Sequence, residues 1–145
     1  MINTSTDTVT LPRELANELL QQAQLGDSHE ICGLIGARRK PDHPDLACRC
    51  YPIPNIADNS HCRYIMEPAS QIKAMREMRE HDEELFAIYH SHPSSPAEPS
   101  SIDINEASYP EALYLIISLN TKGVLEIRGF HLHDGQSREV DLVID

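Results

Sequence analysis

Leu85-Phe86-Ala87-Ile88-Tyr89-His90-Ser91-His92-Pro93 is the run on which the architecture turns. Its first five residues are almost wholly apolar, which reads as a central strand, and Pro93, with no amide hydrogen, should release the chain from that strand. Side chains two apart on a strand share a side. His90 and His92 can therefore offer both imidazoles to one point while Ser91 turns away. The same two residues can also be read as ordinary polar residues at a strand end.

Downstream, residues 93–99 are rich in Pro and Ser and read as a connection. Ser100, Ser101 and Asp103 can then open a short helix by accepting hydrogen bonds from exposed backbone amides, and Pro110 limits its length. A second central strand is predicted near Leu113 to Leu119, followed by a turn over Asn120 to Gly123 and a strand near Val124 to Leu132. Asp134-Gly135 signals a hairpin into a terminal strand on which Val140, Leu142 and Ile144 alternate with other residues.

Upstream, Ala69, Ile72, Met75 and Met78 recur through a polar sequence and predict an amphipathic helix over 69–82, with the methionines as packing residues. Tyr64-Ile65-Met66 reads as the end of a strand before Pro68, and 55–60 as a connection. Leu46, Cys48 and Cys50 alternate along a strand that should weaken at Pro52 and Pro54, and residues 38–44 read as a surface connection. Ile31, Cys32, Leu34 and Ile35 make a short buried strand with Glu30 at its entrance. A helix is predicted over 12–24, where Leu15, Ala16, Leu19, Leu20 and Ala23 recur after Pro12. The sum is a mixed α/β fold, a central sheet of mixed direction flanked by about three helices.

The chain has 145 residues, 40% of them hydrophobic and 24% charged, which fits one domain over 1–145 better than two cores. Twelve Lys and Arg against 23 Asp and Glu give a formal charge of -11, which argues against nucleic acid or an anionic membrane surface as partner. Five Tyr, two Phe and no Trp leave little for base stacking. The spacing of Cys32, Cys48, Cys50 and Cys62 has no small secreted-domain character, so reduced thiols are expected. The opening residues show no basic start followed by an apolar core, and a cytoplasmic location is the expectation.

Asp103, brought back by the Pro/Ser loop, can add the anionic ligand that two neutral imidazoles lack. Two His and one carboxylate leave a tetrahedral position open for water, an arrangement suited to hydrolytic zinc. A separate carboxylate must then take the proton of the attacking water, and Glu30 is the leading candidate. On position alone, Glu30 capping a turn or facing solvent is an equal reading. Ser100 has two readings as well, a cap on the following helix or a donor to reacting oxygen.

Glu30-Ile31-Cys32-Gly33-Leu34-Ile35 resembles the glutamate segment of the JAMM, or MPN-plus, metalloprotease family. His90-Ser91-His92-Pro93 through Ser100-Ser101-Ile102-Asp103 resembles its metal segment. The likeness spans most of the chain and, in element order, is to the small prokaryotic members with a cytidine-deaminase-like fold. It implies zinc held by His90, His92 and Asp103, Glu30 as general base, and Ser100 positioning or stabilising the oxygen that develops charge. It also implies a substrate class: peptide or isopeptide bonds after the C-terminal tail of a ubiquitin-like protein, with a sulfur carrier favoured as partner.

The rival from another class is a non-catalytic MPN-like binding or scaffold module for a ubiquitin-like partner, distinguished by an occupied fourth metal position. Deamination fits worse, because the usual deaminase ligand set of His or Cys with two further cysteines and an adjacent Glu is missing. Cys32 has apolar neighbours and reads as a buried neutral thiol rather than a nucleophile. Packing is also favoured over a metal site for Cys48 with Cys50 and for His131 with His133, while His61 and His81 read as surface residues.

Overall fold

The computed structural model describes residues 7–39, 46–120 and 125–145. Chain order is β1 (Thr8–Leu11), α1 (Arg13–Leu25), β2 (Cys32–Arg39), β3 (Leu46–Ile53), α2 (Pro68–Glu80), β4 (Glu84–His92), α3 (Ser101–Glu106), β5 (Leu113–Ser118), β6 (Glu126–His133) and β7 (Gln136–Ile144). The strands form one seven-stranded sheet in the order β1-β7-β6-β5-β4-β2-β3. Parallel pairing joins β1 to β7 and β4 to β5, and the remaining neighbours are antiparallel. The mixed α/β architecture with three helices expected from the sequence is therefore present. Among the described residues no helix is long and apolar enough to cross a membrane.

Alternation along the central strands divides the core in two. Leu113, Leu115 and Ile117 of β5, with Ala87 and Tyr89 of β4, meet Leu15, Leu19 and Ala23 of α1. Tyr114 and Ile116, with Ile88, belong to the opposite face, where Ala74 and Met78 of α2 are buried and Ile104 of α3 packs at the margin. Period-two geometry then assigns His90 and His92 to the Ile88 side, between the sheet and the layer holding α2 and α3. This is the face on which the site is built.

Several local expectations are corrected. Strand β1 has no counterpart in the sequence reading; four residues carry too short a pattern, and their partner Asp141–Ile144 lies at the other end of the chain. Arg38 and Arg39 are not loop residues: the β2–β3 pairing carries through them, with Arg38 opposite Ala47. The remainder of the predicted connection, 40–44, lies outside the described residues, as do 121–123 of the predicted turn, Val124 and the opening residues 1–6. Strand β3 does end where the prolines predict, at Ile53 between Pro52 and Pro54, and Pro52 is tolerated within it because an edge strand needs no outward amide. Tyr64-Ile65-Met66 forms no strand, only an isolated bridge between Asn55 and Met66.

Helix α2 buries Met78, as predicted, but leaves Ile72 59% exposed. Three-residue steps fall short of a full helical turn, and by Ile72 the accumulated drift is about 120° from Met78. Ala74 takes the buried place instead. The Asp134-Gly135 signal is matched: φ is 51° and 71° at the two residues, as a two-residue hairpin of the primed type requires, and His133 pairs with Gln136.

Candidate metal centre

Strand β4 runs on through His90 and His92 to its end, with His90 paired to strands on both sides and His92 paired to β5 alone. His90 lies opposite Cys32 of β2 and Ile116 of β5, and His92 lies beside Ser118. Both imidazoles are buried, with side-chain exposures of 0% and 5%. Ser91 points to the other face, where its Oγ accepts the Ile31 amide at 2.9 Å while its own amide donates to the Ile31 carbonyl at 3.0 Å. That double tie anchors the residue next to Glu30.

The chain then leaves the sheet through the Pro/Ser loop, which is fastened at two points. Nδ1 of His92 lies 2.7 Å from the Pro96 carbonyl, and Ser118 Oγ donates to the Ser95 carbonyl at 2.7 Å. A carbonyl can only accept, so Nδ1 of His92 carries a proton, which turns Nε2 toward Asp103, where it donates when protonated and can ligate an ion when not. The loop delivers α3, whose first turn is a capping box. Ser100 Oγ accepts the Asp103 amide at 3.0 Å, and Asp103 Oδ2 accepts the Ser100 amide at 2.9 Å.

That same Oδ2 lies 3.1 Å from His90 Nε2 and 3.2 Å from His92 Nε2, and the two nitrogens are 3.1 Å apart. Three potential ligand atoms thus form a nearly equilateral triangle. Tetrahedral zinc with bonds of about 2.0–2.1 Å sets its ligand atoms about 3.3 Å apart, so the donor set fits such an ion in chemistry and in spacing. Glu30 stands beside the triangle. Its ligand atom and those of His90 and His92 all lie within 4.8 Å of one another, and it is 5% exposed. Its Oε1 is buried without a hydrogen-bond partner among the described residues, and so is Nδ1 of His90.

Burial dominates the electrostatics here. It pushes the Glu30 carboxyl up to about 7; His92 opposes this and Asp103 adds to it. Burial also lowers His90, against the pull of Asp103. His92 is raised instead, because hydrogen bonds to Asp103 and the Pro96 carbonyl outweigh its burial. Asp103 itself resists burial through hydrogen bonds from both histidines and the Ser100 amide, which hold its carboxyl well below the usual carboxylate range. The result is a carboxylate held charged among the imidazoles and a second, Glu30, poised near neutrality.

The structure therefore brings together Glu30, His90, His92 and Asp103, the four residues singled out from the sequence, and places Ser100 at their edge as a helix cap. Glu30 precedes β2 rather than starting it, fixed by its amide to the Ser60 carbonyl at 2.7 Å and by its carbonyl to Asn55 Nδ2 at 2.9 Å. Cys32 donates to the Ile53 carbonyl, and burial followed by the charge of Glu30 pushes its thiol up to about 12, which leaves it inert. All four cysteines are free thiols. Among the described residues, no group of three or more His, Cys, Asp or Glu converges in this way anywhere else in the fold.

Residues 12–129 match the family of prokaryotic homologs of the JAB domain. The chain belongs to that family. It is related to the JAMM peptidases that its glutamate and histidine segments resemble. Among its relatives, a CysO-cysteine peptidase from Mycobacterium tuberculosis (strain CDC 1551 / Oshkosh) is 31% identical over 126 residues, covering 87% of this chain and 84% of its own. A probable TtuB-protein conjugate cleaving protease from Thermus thermophilus is 35% identical over 134 residues, 92% of this chain and 81% of its own. A Desulfitobacterium hafniense protein solved in solution superimposes with a TM-score of 0.79 at 32% identity, covering 94% of this chain and 92% of that one.

Three contributors to this JAB-domain centre were not legible beforehand. The Pro96 carbonyl is backbone and leaves no residue-type signal. Strand alternation only turns Ser91 away from the site, although a serine on a buried strand needs a partner, here the Ile31 amide. Tyr64, whose ring stacks on His90 with centroids 4.5 Å apart, sits in a segment whose sequence resembles a strand end that the structure does not form.

Proposed function

We propose that this protein is a zinc metallopeptidase hydrolysing the peptide or isopeptide bond that follows the C-terminal tail of a ubiquitin-like protein, with a sulfur carrier as the favoured substrate. The observation that carries the reading is the triangle of His90 Nε2, His92 Nε2 and Asp103 Oδ2 with buried Glu30 at its side. Relatives named for cleaving CysO-cysteine and TtuB-protein conjugates support the substrate class.

His90, His92 and Asp103 would hold the ion. When bound, zinc supplies Lewis acidity, lowering the pKa of water toward neutrality and polarising the scissile carbonyl. Glu30 takes the proton of the attacking water and returns it to the departing amine, a task suited to a carboxyl whose environment brings it near 7. The Ser100 oxygen accepts from the Asp103 amide, which leaves its O–H free to donate toward the oxygen that gains charge. Capping and catalysis are thus compatible in one hydroxyl.

The test is mass-resolved cleavage of ubiquitin-like tails bearing different C-terminal extensions, with zinc-loaded wild type and Glu30→Gln in parallel. The expected result is a tail-specific product that disappears in the variant. Binding of tails without Glu30-dependent hydrolysis, across the whole set of extensions, would replace the enzyme with a binding or scaffold module.

A further inference from the structure

The two metal-facing histidines are not held in the same way. A ligating imidazole ordinarily gives its second ring N–H to an acceptor, which fixes the angle of the ring. His92 does so through Pro96. Nδ1 of His90 is buried and has no such partner among the described residues. What it has instead is a face: the Tyr64 ring lies 4.5 Å away with an interplanar angle of 28°, a stacked arrangement.

Tyr64 is itself held from both sides. Asn55 Nδ2 donates to the Arg63 carbonyl at 3.0 Å, and Asn55 Oδ1 accepts the Ile65 amide at 2.9 Å, so both neighbours of Tyr64 are pinned by one carboxamide. The same Nδ2 donates to the Glu30 carbonyl at 2.9 Å. On the outer side, Arg63 pairs with Glu106 of α3, the helix that carries Asp103. The segment bearing Tyr64 is therefore tied both to the residue proposed as base and to the element supplying the carboxylate.

We propose that Tyr64 is a positioning residue for His90, its ring face fixing the imidazole in the orientation that a hydrogen bond fixes for His92. The inference rests on the metal-centre reading above and adds to it a residue that acts through His90. The stack is the active feature, so phenylalanine should replace tyrosine and an aliphatic side chain should not.

The experiment uses the full chain as wild type, Tyr64→Phe, Tyr64→Leu and Tyr64→Met, with zinc affinity measured by competition against a chromophoric chelator. Tyr64→Phe is expected to stay within about 3-fold of wild type, while Tyr64→Leu and Tyr64→Met weaken zinc binding about 10–100-fold, the usual cost of losing an outer support of a ligand. NMR of the metal-free proteins supplies an independent readout: the His90 ring protons should be shifted upfield in wild type and Tyr64→Phe, and this shift should vanish in the aliphatic variants. Two aliphatic variants guard against one that fails to fold. Equal zinc affinity in wild type and the aliphatic variants, or equal weakening in Tyr64→Phe, overturns the inference alone. A wild type that binds no zinc overturns the metal-centre reading and the inference with it.

Discussion

Glu30 is an acid whose surroundings disfavour its charge, and that has a measurable cost in the metal-free protein. Its carboxyl is pushed up from 4.5 to about 7 in the fold, mainly by burial. A raised folded-state value means that the native protein binds the proton more tightly than the unfolded chain does. The resulting stabilisation is fully present below about pH 4.5 and is lost as the pH rises through about 7, at most about 3 kcal/mol in all. Urea unfolding of metal-free wild type and Glu30→Gln should show the variant gaining relative to wild type over that window and levelling off above it. A difference that stays flat with pH would mean that Glu30 titrates as an ordinary exposed carboxyl. Ser100 makes a different separation. Ser100→Ala removes the acceptor for the Asp103 amide, worth about 1 kcal/mol as a cap, and the proposed donor, worth about 10²–10³ in kcat. Zinc affinity should change much less than kcat; a loss of stability with kcat intact would leave capping as its whole role.

Between β2 and β4 the contact that admits no enlargement is at Gly33. A Cβ there would sit 2.3 Å from the Tyr89 hydroxyl and 2.7 Å from the Tyr51 carbonyl oxygen. Tyr89 is fully buried and donates to Gln22 of α1 at 2.6 Å, so its ring has no free path of retreat. Gly33→Ala should cost about 1–3 kcal/mol through overpacking, read as a lower midpoint in thermal unfolding. An unchanged midpoint would show that Tyr89 and the β2 backbone give way at Gly33 without cost. Elements of this kind explain what was legible in the sequence. Buried strands such as β4 and β5, the capped α3 and the Asp134-Gly135 hairpin carry their signals in adjacent residues. The 90–103 half of the site follows from strand periodicity plus a short return loop. The arrival of Glu30 does not: it depends on Ser91, Ser60 and Asn55, contacts up to sixty residues apart in sequence that no local pattern encodes. The same long reach hid β1 on the edge of the sheet.

At the scale of the whole molecule, the proposed ion would join the end of β4 to α3 across the Pro/Ser loop, in a place where the protein alone sets a carboxylate against two imidazoles. The metal-free fold carries the cost of that crowding, seen in the opposed shifts of His90 and His92 and in buried polar atoms without partners. A ligand that binds the native state and not the unfolded chain raises stability by mass action, about 2.7 kcal/mol when its free concentration is 100 times its dissociation constant. For a chain of this length that corresponds to a rise in Tm of several degrees. Differential scanning calorimetry with and without a zinc-buffered chelator should show this rise in wild type, and Glu30→Gln should show it too, since Glu30 is assigned a proton and not the ion. His92→Ala removes one corner of the triangle and should abolish the rise along with activity. Equal zinc occupancy and equal stabilisation in His92→Ala would reject His92 as a ligand, whereas loss of the rise in Glu30→Gln would move Glu30 from the role of base into the coordination sphere.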